Sequence, residues 1–234
     1  MTKRATAGLV AALALVAAGC GGGDETPEPD VEEAYAQYHS APAIMADGFD
    51  AMLALDTVHL RSEIRDGDRT TLMDLSLRRD GDCLGTLQIP GWTEPADFVV
   101  ADGRDYVRGS AKFWSAGPDG AAAAERYAGR WVTTGDLASY CDFEGQLAPF
   151  TRTIDEKLTS KDGLDEIEGA DVVRVSTPTG GGRLRAWVEV AAPHHVPRLE
   201  LTGGSATGEI ELSEFDSAVE VEVPPAADVV EFTG

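Results

Sequence analysis

The stretch from residue 81 to residue 132 contains the segments that decide the fold: Gly81-Asp-Cys-Leu-Gly85, Tyr106-Val-Arg-Gly109, Phe113-Trp114 and Gly129-Arg-Trp-Val132. Short apolar runs alternate here with Asp-Gly dipeptides and paired aromatic residues, and no set of residues has a catalytic pattern. Asp-Gly readily supplies the positive φ that two-residue hairpin turns need. The stretch therefore predicts a scaffold of short strands joined by tight turns.

Alternation of apolar and polar residues extends outward from this stretch in both directions. In the first half it predicts strands near 57–65, 69–79, 82–90, 96–101 and 104–109. In the second half it resumes at Val173 and Val175 and across 184–190, 197–201 and 209–212. About ten or eleven antiparallel strands would then share one sheet, which has to curl to bury its apolar face.

Helical spacing of apolar residues marks three segments. A helix is predicted from Val31, with a restart at Ser40-Ala-Pro42 and an apolar face of Met45, Phe49, Met52 and Leu53. A short helix is predicted at 121–127. A longer segment at 135–158 carries Phe143, Leu147, Phe150, Ile154 and Leu158 at helical spacing, and Pro149 would kink or split it. Helices over the open side of a curled sheet make an α+β fold that encloses either a cavity or a packed core.

The N-terminal residues have the pattern of a bacterial lipoprotein signal. Lys3 and Arg4 precede a small-apolar run at 5–18, which ends at Ala17-Ala-Gly-Cys20. The run is too short to span a bilayer, because a spanning helix needs about 20 residues. We expect a signal peptide at 1–19, a lipidated Cys20, a flexible tether to residue 30 and a single domain at 31–234. The alternative is an ordinary signal peptide with a chance cysteine.

Composition and missing motifs limit the function classes. With 19 Lys and Arg against 41 Asp and Glu, the formal net charge of −22 disfavours nucleic acid as a partner. The sequence contains no G-x-S-x-G, P-loop, H-E-x-x-H or EF-hand pattern, so we expect no catalytic residues, no metal and no cofactor. Trp92, Trp114, Trp131 and Trp187 either fill the core or border a lipid or sugar site.

Beyond Cys20, the chain holds one pair of cysteines, Cys83 and Cys141. An even pair in an exported domain, without C-x-x-C or a histidine at zinc spacing, favours a disulfide. The alternative is two free buried thiols.

Several short segments, taken in order, resemble one protein family. They are the lipobox at Cys20, Thr57-Val-His-Leu60, Tyr106-Val-Arg-Gly109, Phe113-Trp114, Gly129-Arg-Trp-Val132, Val196-Pro-Arg-Leu199, Phe215-Asp-Ser217 and Val219-Glu-Val-Glu-Val-Pro-Pro225. Together they resemble the LppX and LprG family of actinobacterial lipoproteins, which have a LolA-like fold. The resemblance covers residues 33–230. The cysteine pair is not a general family feature, so it indicates a subgroup whose ligand can differ.

The resemblance implies a half-open antiparallel β-barrel closed by helices, with a hydrophobic cavity for an acylated lipid or glycolipid and no enzymatic activity. It also implies a location on the outer face of the cytoplasmic membrane of a high-GC Gram-positive bacterium. The cavity would be lined by the inward-alternating positions of the predicted strands: Val58, Leu60, Ile64, Met73, Leu75, Leu77, Leu184, Ala186, Val188, Leu199 and Leu201.

Three function classes stay open at this point. A lipid carrier predicts a continuous apolar cavity, whereas an envelope interaction or sensor module predicts a filled core and a surface that recruits another envelope protein. A hydrolase would need converging carboxylates or histidines in a cleft. The carrier is the preferred hypothesis, because a curled sheet with one apolar face and covering helices suits an acyl chain.

Overall fold

The structure is a computed structural model that describes residues 35–37, 39–117, 119–135 and 137–233. The predicted signal peptide at 1–19, the lipidated Cys20, the tether to residue 30 and the helix start at Val31 lie outside the described residues. Residues 35–37 are helical, in agreement with the helix predicted from Val31.

Twelve strands form one sheet in the described part of the chain. They are β1 Thr57–Asp66, β2 Arg69–Arg78, β3 Cys83–Gln88, β4 Ala96–Ala101, β5 Arg104–Arg108, β6 Trp131–Thr133, β7 Ser160–Ile167, β8 Ala170–Thr179, β9 Gly182–Glu189, β10 Arg198–Gly203, β11 Ala206–Ser213 and β12 Val229–Glu231. Their order across the sheet is β12-β6-β5-β4-β3-β2-β1-β11-β10-β9-β8-β7.

The two halves of the chain meet in the middle of the sheet, where β1 pairs with both β2 and β11. All neighbouring strands are antiparallel except β12 and β6, which are parallel. The Asp102-Gly103 turn between β4 and β5 has positive φ at both residues, 53° and 72°, as the sequence predicted for its tight hairpins. The α+β prediction with an open, curled sheet is confirmed.

The strand count of ten or eleven was too low. The alternation of apolar residues did not reveal β6 and β12, which have three residues each, or β7, whose first seven residues are all exposed. A strand with no buried face carries no apolar alternation, and three residues are too few to show one. The predicted antiparallel pairing holds for every neighbouring pair except β6 and β12, where β12 adds in parallel.

Four α-helices follow in the described part of the chain: α1 Ala41–Ala54, α2 Ala111–Ser115, α3 Gly120–Tyr127 and α4 Phe143–Thr151. Two short 3-10 helices lie at Ala138–Cys141 and Ala226–Asp228. The Ser40 side chain accepts a hydrogen bond from the Ala43 N–H, so α1 starts at the predicted N-cap. The helix predicted at 121–127 is α3.

The predicted helical segment at 135–158 is shorter and divided in two. Asp142 accepts a hydrogen bond from the Gly145 N–H at 2.9 Å, so α4 starts after the 3-10 helix. Beyond α4, the Asp155 carboxylate accepts from the N–H groups of Lys157 and Leu158 at 2.8 and 3.0 Å. Such a side-chain turn competes with helix formation. Leu158 is consequently 59% exposed instead of lying on a helical apolar face.

The main core lies between α1 and one face of the sheet. The apolar face of α1 is buried as predicted at Met45, Phe49 and Met52, while Leu53 is only partly buried. Gly48 permits the close approach of this helix, because a Cβ there would lie 2.8 Å from Val196 Cγ2 and 3.1 Å from the methyls of Val188. The Cys83 and Cys141 sulfurs are bonded, which ties β3 to the short 3-10 helix before α4.

Candidate lipid-binding cavity

An apolar cavity of about 410 Å³ lies beside β5 and under α2 and α3. Asp119 and Thr134 are the only charged or hydroxyl side chains among the described residues that line it. Its apolar lining comes from five separate parts of the chain: Ile89 and Trp92, Val107, Phe113 with Trp114 and Ala123, Leu137, and Phe232. Because these parts are far apart in sequence, folding alone brings them together.

The short helix α2 places two aromatic rings on this cavity. The Ser110 side chain caps the helix by accepting from the Phe113 N–H at 3.1 Å. A Cβ on Gly109 would lie 2.2 Å from Phe113 Cδ1. A glycine is therefore required at position 109 for the Phe113 ring to lie against the backbone. This requirement explains why the Tyr106-Val-Arg-Gly109 segment has a glycine as its last residue.

A chain of ring contacts surrounds the cavity. Phe113 meets Trp92 and Trp114 edge to face, with centroids 4.8 and 4.9 Å apart. Trp114 contacts Tyr127 at 5.1 Å, and Tyr127 contacts Phe232 at 5.8 Å. The last contact brings the C-terminal end of the described chain to the cavity wall, where the Phe232 N–H also donates to the Thr133 carbonyl.

A buried carboxylate fixes the loop that follows β6. Asp105 is 1% exposed and accepts hydrogen bonds from Thr134 Oγ1 at 2.6 Å, the Gly135 N–H at 2.7 Å and the Leu137 N–H at 2.9 Å. Burial alone would raise the pKa of Asp105, but these hydrogen bonds outweigh it and hold the pKa below its ordinary value. Since Thr134 and Leu137 line the cavity, Asp105 holds one of its walls in place.

We expect Asp105→Asn to lower the free energy of unfolding at pH 7 by about 3 kcal/mol, because the amide leaves a buried N–H without its charged acceptor. A lowered folded-state pKa stabilises the protein above the unfolded pKa of about 3.9, and that contribution is lost as pH falls through the folded value. The difference in the free energy of unfolding between the wild type and Asp105→Asn should therefore decrease as the pH is lowered. Urea unfolding at several pH values measures it.

The matched control for this prediction is Asp97→Asn, which removes a surface carboxylate paired with Arg108. Such an exposed pair contributes about 0–1 kcal/mol. Equal stability of the two variants at pH 7 would show that Asp105 does not hold the loop.

The eleven positions that the resemblance assigned to a cavity lie together on one face of the sheet. Nine are buried, whereas Ile64 and Leu201 are partly exposed. Register pairs several of them directly, including Leu60 with Leu75 and Leu199 with Ala186. They pack in the same core as α1, and none of them is among the residues that line the 410 Å³ cavity. Their role as a lipid site stays a prediction.

The residues that do line the cavity were only partly indicated by the sequence. Trp92 and Trp114 were candidates for a lipid border, and both line it. Trp131 instead stacks under Arg108 at 4.5 Å. Trp187 donates to Asp165 at 3.4 Å, away from the core that contains Ala186 and Val188. Phe232 carried no sequence signal, and Leu137 lies in the predicted helical segment at 135–158 but not among its apolar residues at helical spacing.

The described residues form neither a metal centre nor a membrane-spanning helix. Among the described residues, no group of three or more His, Cys, Asp or Glu side chains is arranged to hold a metal ion. In the same part of the chain, no helix has the length and apolar character needed to cross a bilayer.

Comparison with known proteins gives structural matches only. No protein-family model and no curated protein matches the sequence. LprF from Mycobacterium bovis is 18% identical and has a TM-score of 0.56, and the match covers 79% of this chain and 96% of LprF. Lipoprotein LppX from Mycobacterium tuberculosis is 15% identical and has a TM-score of 0.50, over 78% of this chain and 98% of LppX. The chain therefore has the open-sheet α+β fold of LprF and LppX, mycobacterial lipoproteins of the LppX and LprG family.

Proposed function

We propose that this domain binds and carries a lipid or glycolipid, with the acyl chain in the 410 Å³ cavity, on the outer side of the cytoplasmic membrane and without enzymatic activity. The observation that carries the proposal is the cavity itself. Its volume falls in the range of roughly 300–1,000 Å³ that is usual for small-molecule sites. Each methylene that enters an apolar lining contributes about 0.8 kcal/mol, so an alkyl chain gains affinity along its whole buried length.

The charges favour an uncharged polar head. Asp119 is exposed where it borders the cavity, and the whole chain has a net charge of −22. A phosphate group would be repelled on approach, whereas a sugar or glycerol hydroxyl can donate a hydrogen bond to the Asp119 carboxylate. We therefore favour a neutral glycolipid or acylglycerol over an anionic phospholipid.

Anchoring through a lipidated Cys20 belongs to the same proposal. After removal of residues 1–19, the acylated cysteine would hold the domain on the outer face of the cytoplasmic membrane, with residues up to 30 as a tether. A bacterium with a high-GC genome fits both the resemblance and the mycobacterial origin of the two structures with the same fold. A ligand taken from that membrane would then lie within reach of the cavity.

One observation favours the second candidate, an interaction or sensor module with a filled core. Helix α1 covers the sheet face beneath it, and Val188 and Leu75 are completely buried there. In that reading the 410 Å³ cavity holds no lipid, and an envelope protein is the partner.

Quenching of tryptophan fluorescence tests lipid binding at this cavity. The probe is an uncharged monoacylglycerol with a dibrominated chain, because bromine quenches only a nearby indole. We expect quenching in the wild type, and loss of that quenching in the Trp92→Phe, Trp114→Phe double variant. Trp187→Phe is the matched control and should leave the quenching intact, because Trp187 lies elsewhere on the sheet. Absence of quenching in the wild type, or its persistence in the double variant, would reject the site.

A further inference from the structure

The strand β7 lies at one end of the sheet. It pairs with β8 on one side, and no described strand pairs with its other side. Seven of its eight residues are exposed, and Leu164 within it is 56% exposed. An edge strand of this length offers free backbone groups to another extended chain.

The hydrogen bonds of the neighbouring strands show which backbone groups are free. The Val190 N–H donates to the Asp171 carbonyl at 2.9 Å, so the peptide groups of Asp171 point away from β7. Asp171 lies opposite Glu166 in the register. In an antiparallel pair, two residues directly opposite each other either both point their backbone N–H and C=O groups toward each other or both point them away. Glu166 therefore points its N–H and C=O outward, and Leu164, two residues earlier, does the same.

The outward N–H of Glu166 has a local substitute partner. It donates to the carboxylate of the preceding residue, Asp165, at 3.0 Å. A peptide carbonyl can replace that carboxylate, because the contact is made at the surface. Without a partner strand, the Glu166 N–H is therefore satisfied by the Asp165 carboxylate, and a peptide carbonyl can take the place of that acceptor.

A groove of about 690 Å³ lies at the C-terminal end of β7 and is rich in carboxylates. Two of the acidic residues that line it are already compensated, because Asp165 lies 3.8 Å from Arg174 and Glu211 lies 3.6 Å from Arg198. Glu166, Glu168 and Glu214 also line the groove and form no ion pair with any described residue. Of these, Glu166 and Glu168 place uncompensated negative charge on and directly after β7, whereas Glu214 follows β11, on the β8 side of β7.

We propose that β7 binds an extended basic peptide segment of a partner protein by strand addition. The peptide backbone pairs with the outward groups of Leu164 and Glu166. The side chains of Leu164 and Glu166 lie on the same face of β7, so lysine or arginine side chains at alternate positions of the peptide pack their alkyl stems on exposed Leu164 and pair their charges with Glu166. The surface is separate from the lipid cavity, and the inference does not depend on lipid binding.

Charge argues against a second copy of this chain as the occupant. Two β7 edges placed side by side would bring the unpaired Glu166 and Glu168 carboxylates of both copies together, between chains that each carry a net charge of −22. Like charges opposed across a strand pair are destabilising. A basic partner removes this repulsion.

Titration calorimetry with defined peptides tests the proposal. The probe is a hexapeptide that alternates lysine with valine, and its controls are the same peptide with glutamate in place of lysine and one with N-methylated valines. The main variant is Glu166→Pro, which removes the outward N–H and leaves pairing with β8 intact, as proline is tolerated on edge strands. Glu166→Gln removes only the charge, and Glu125→Gln on α3 is the matched surface control.

We expect the lysine-valine peptide to bind the wild type and the Glu125→Gln variant equally, with Kd raised about tenfold in Glu166→Pro. In Glu166→Gln the salt dependence of Kd should decrease. The glutamate and N-methylated peptides should not bind, which tests strand addition even if Glu166→Pro is unstable. Equal binding of the lysine and glutamate peptides, or of the N-methylated peptide, would overturn the proposal. So would a wild-type dimer in sedimentation that Glu166→Pro dissociates, because the edge would then belong to a second copy.

Discussion

Replacing Cys83 and Cys141 with alanine should lower the free energy of unfolding by about 4 kcal/mol, because the bond closes a loop of 58 residues in the unfolded chain. Both cysteines are completely buried, and one anchors the 3-10 helix before α4 on the sheet. Loss of the bond should also loosen the chain around Leu137, which lines the cavity four residues before Cys141. The double variant is therefore expected to bind lipid more weakly as well.

Urea unfolding with and without a reductant provides the control for this prediction. Reduced wild type should unfold close to the urea concentration of the double variant, while oxidised wild type should unfold at a clearly higher concentration. If reductant leaves the unfolding midpoint of the wild type unchanged, the two cysteines act as free buried thiols.

Replacing Ala116 with tryptophan should abolish lipid binding while the domain stays folded. Ala116 borders the cavity at the end of α2, where it is exposed and has ordinary helical backbone angles, φ −77° and ψ −17°. A large ring fits there sterically because the position faces solvent, and it can occupy the entrance that an acyl chain needs. Ala122→Trp is the matched control, since Ala122 is exposed on α3 and is not part of the cavity lining.

Replacing Val188 with tryptophan distinguishes between the two possible lipid sites, the 410 Å³ cavity and the sheet face under α1. Val188 is completely buried and lies against Gly48 of α1, so tryptophan should overpack the core and cost about 1–3 kcal/mol. Loss of lipid binding without loss of stability in Val188→Trp would instead show that α1 moves away and that the predicted sheet positions form the cavity. Thermal unfolding together with lipid content distinguishes these results.

The parts of the fold that the sequence predicted well are those with a buried and an exposed face. Met45, Phe49 and Met52 recur at helical spacing because one side of α1 lies on the sheet. The strands β1 and β2 alternate because only one of their faces is covered, as in the pair of Leu60 with Leu75. In both cases local periodicity reports a tertiary contact directly.

The parts that the sequence did not predict depend on contacts between distant residues or on single side chains. The strand β7 has no buried face, and its place at the sheet edge follows from pairing with β8. The helix in the segment after residue 135 ends at Thr151, and the Asp155 carboxylate then stabilises a separate turn at Lys157 and Leu158, which periodicity does not reveal. The cavity combines Trp92, Leu137 and Phe232 from separate parts of the chain, and no local pattern links them.

Native mass spectrometry of residues 21–234, exported without the lipid anchor, tests most directly whether the domain carries a lipid. The wild type is expected to show a mass excess that organic extraction resolves into one lipid class, with an uncharged head. Ala122→Trp should show the same excess and Ala116→Trp none. A wild-type protein that keeps its apo mass after incubation with membrane lipids would contradict lipid carriage and favour the interaction module.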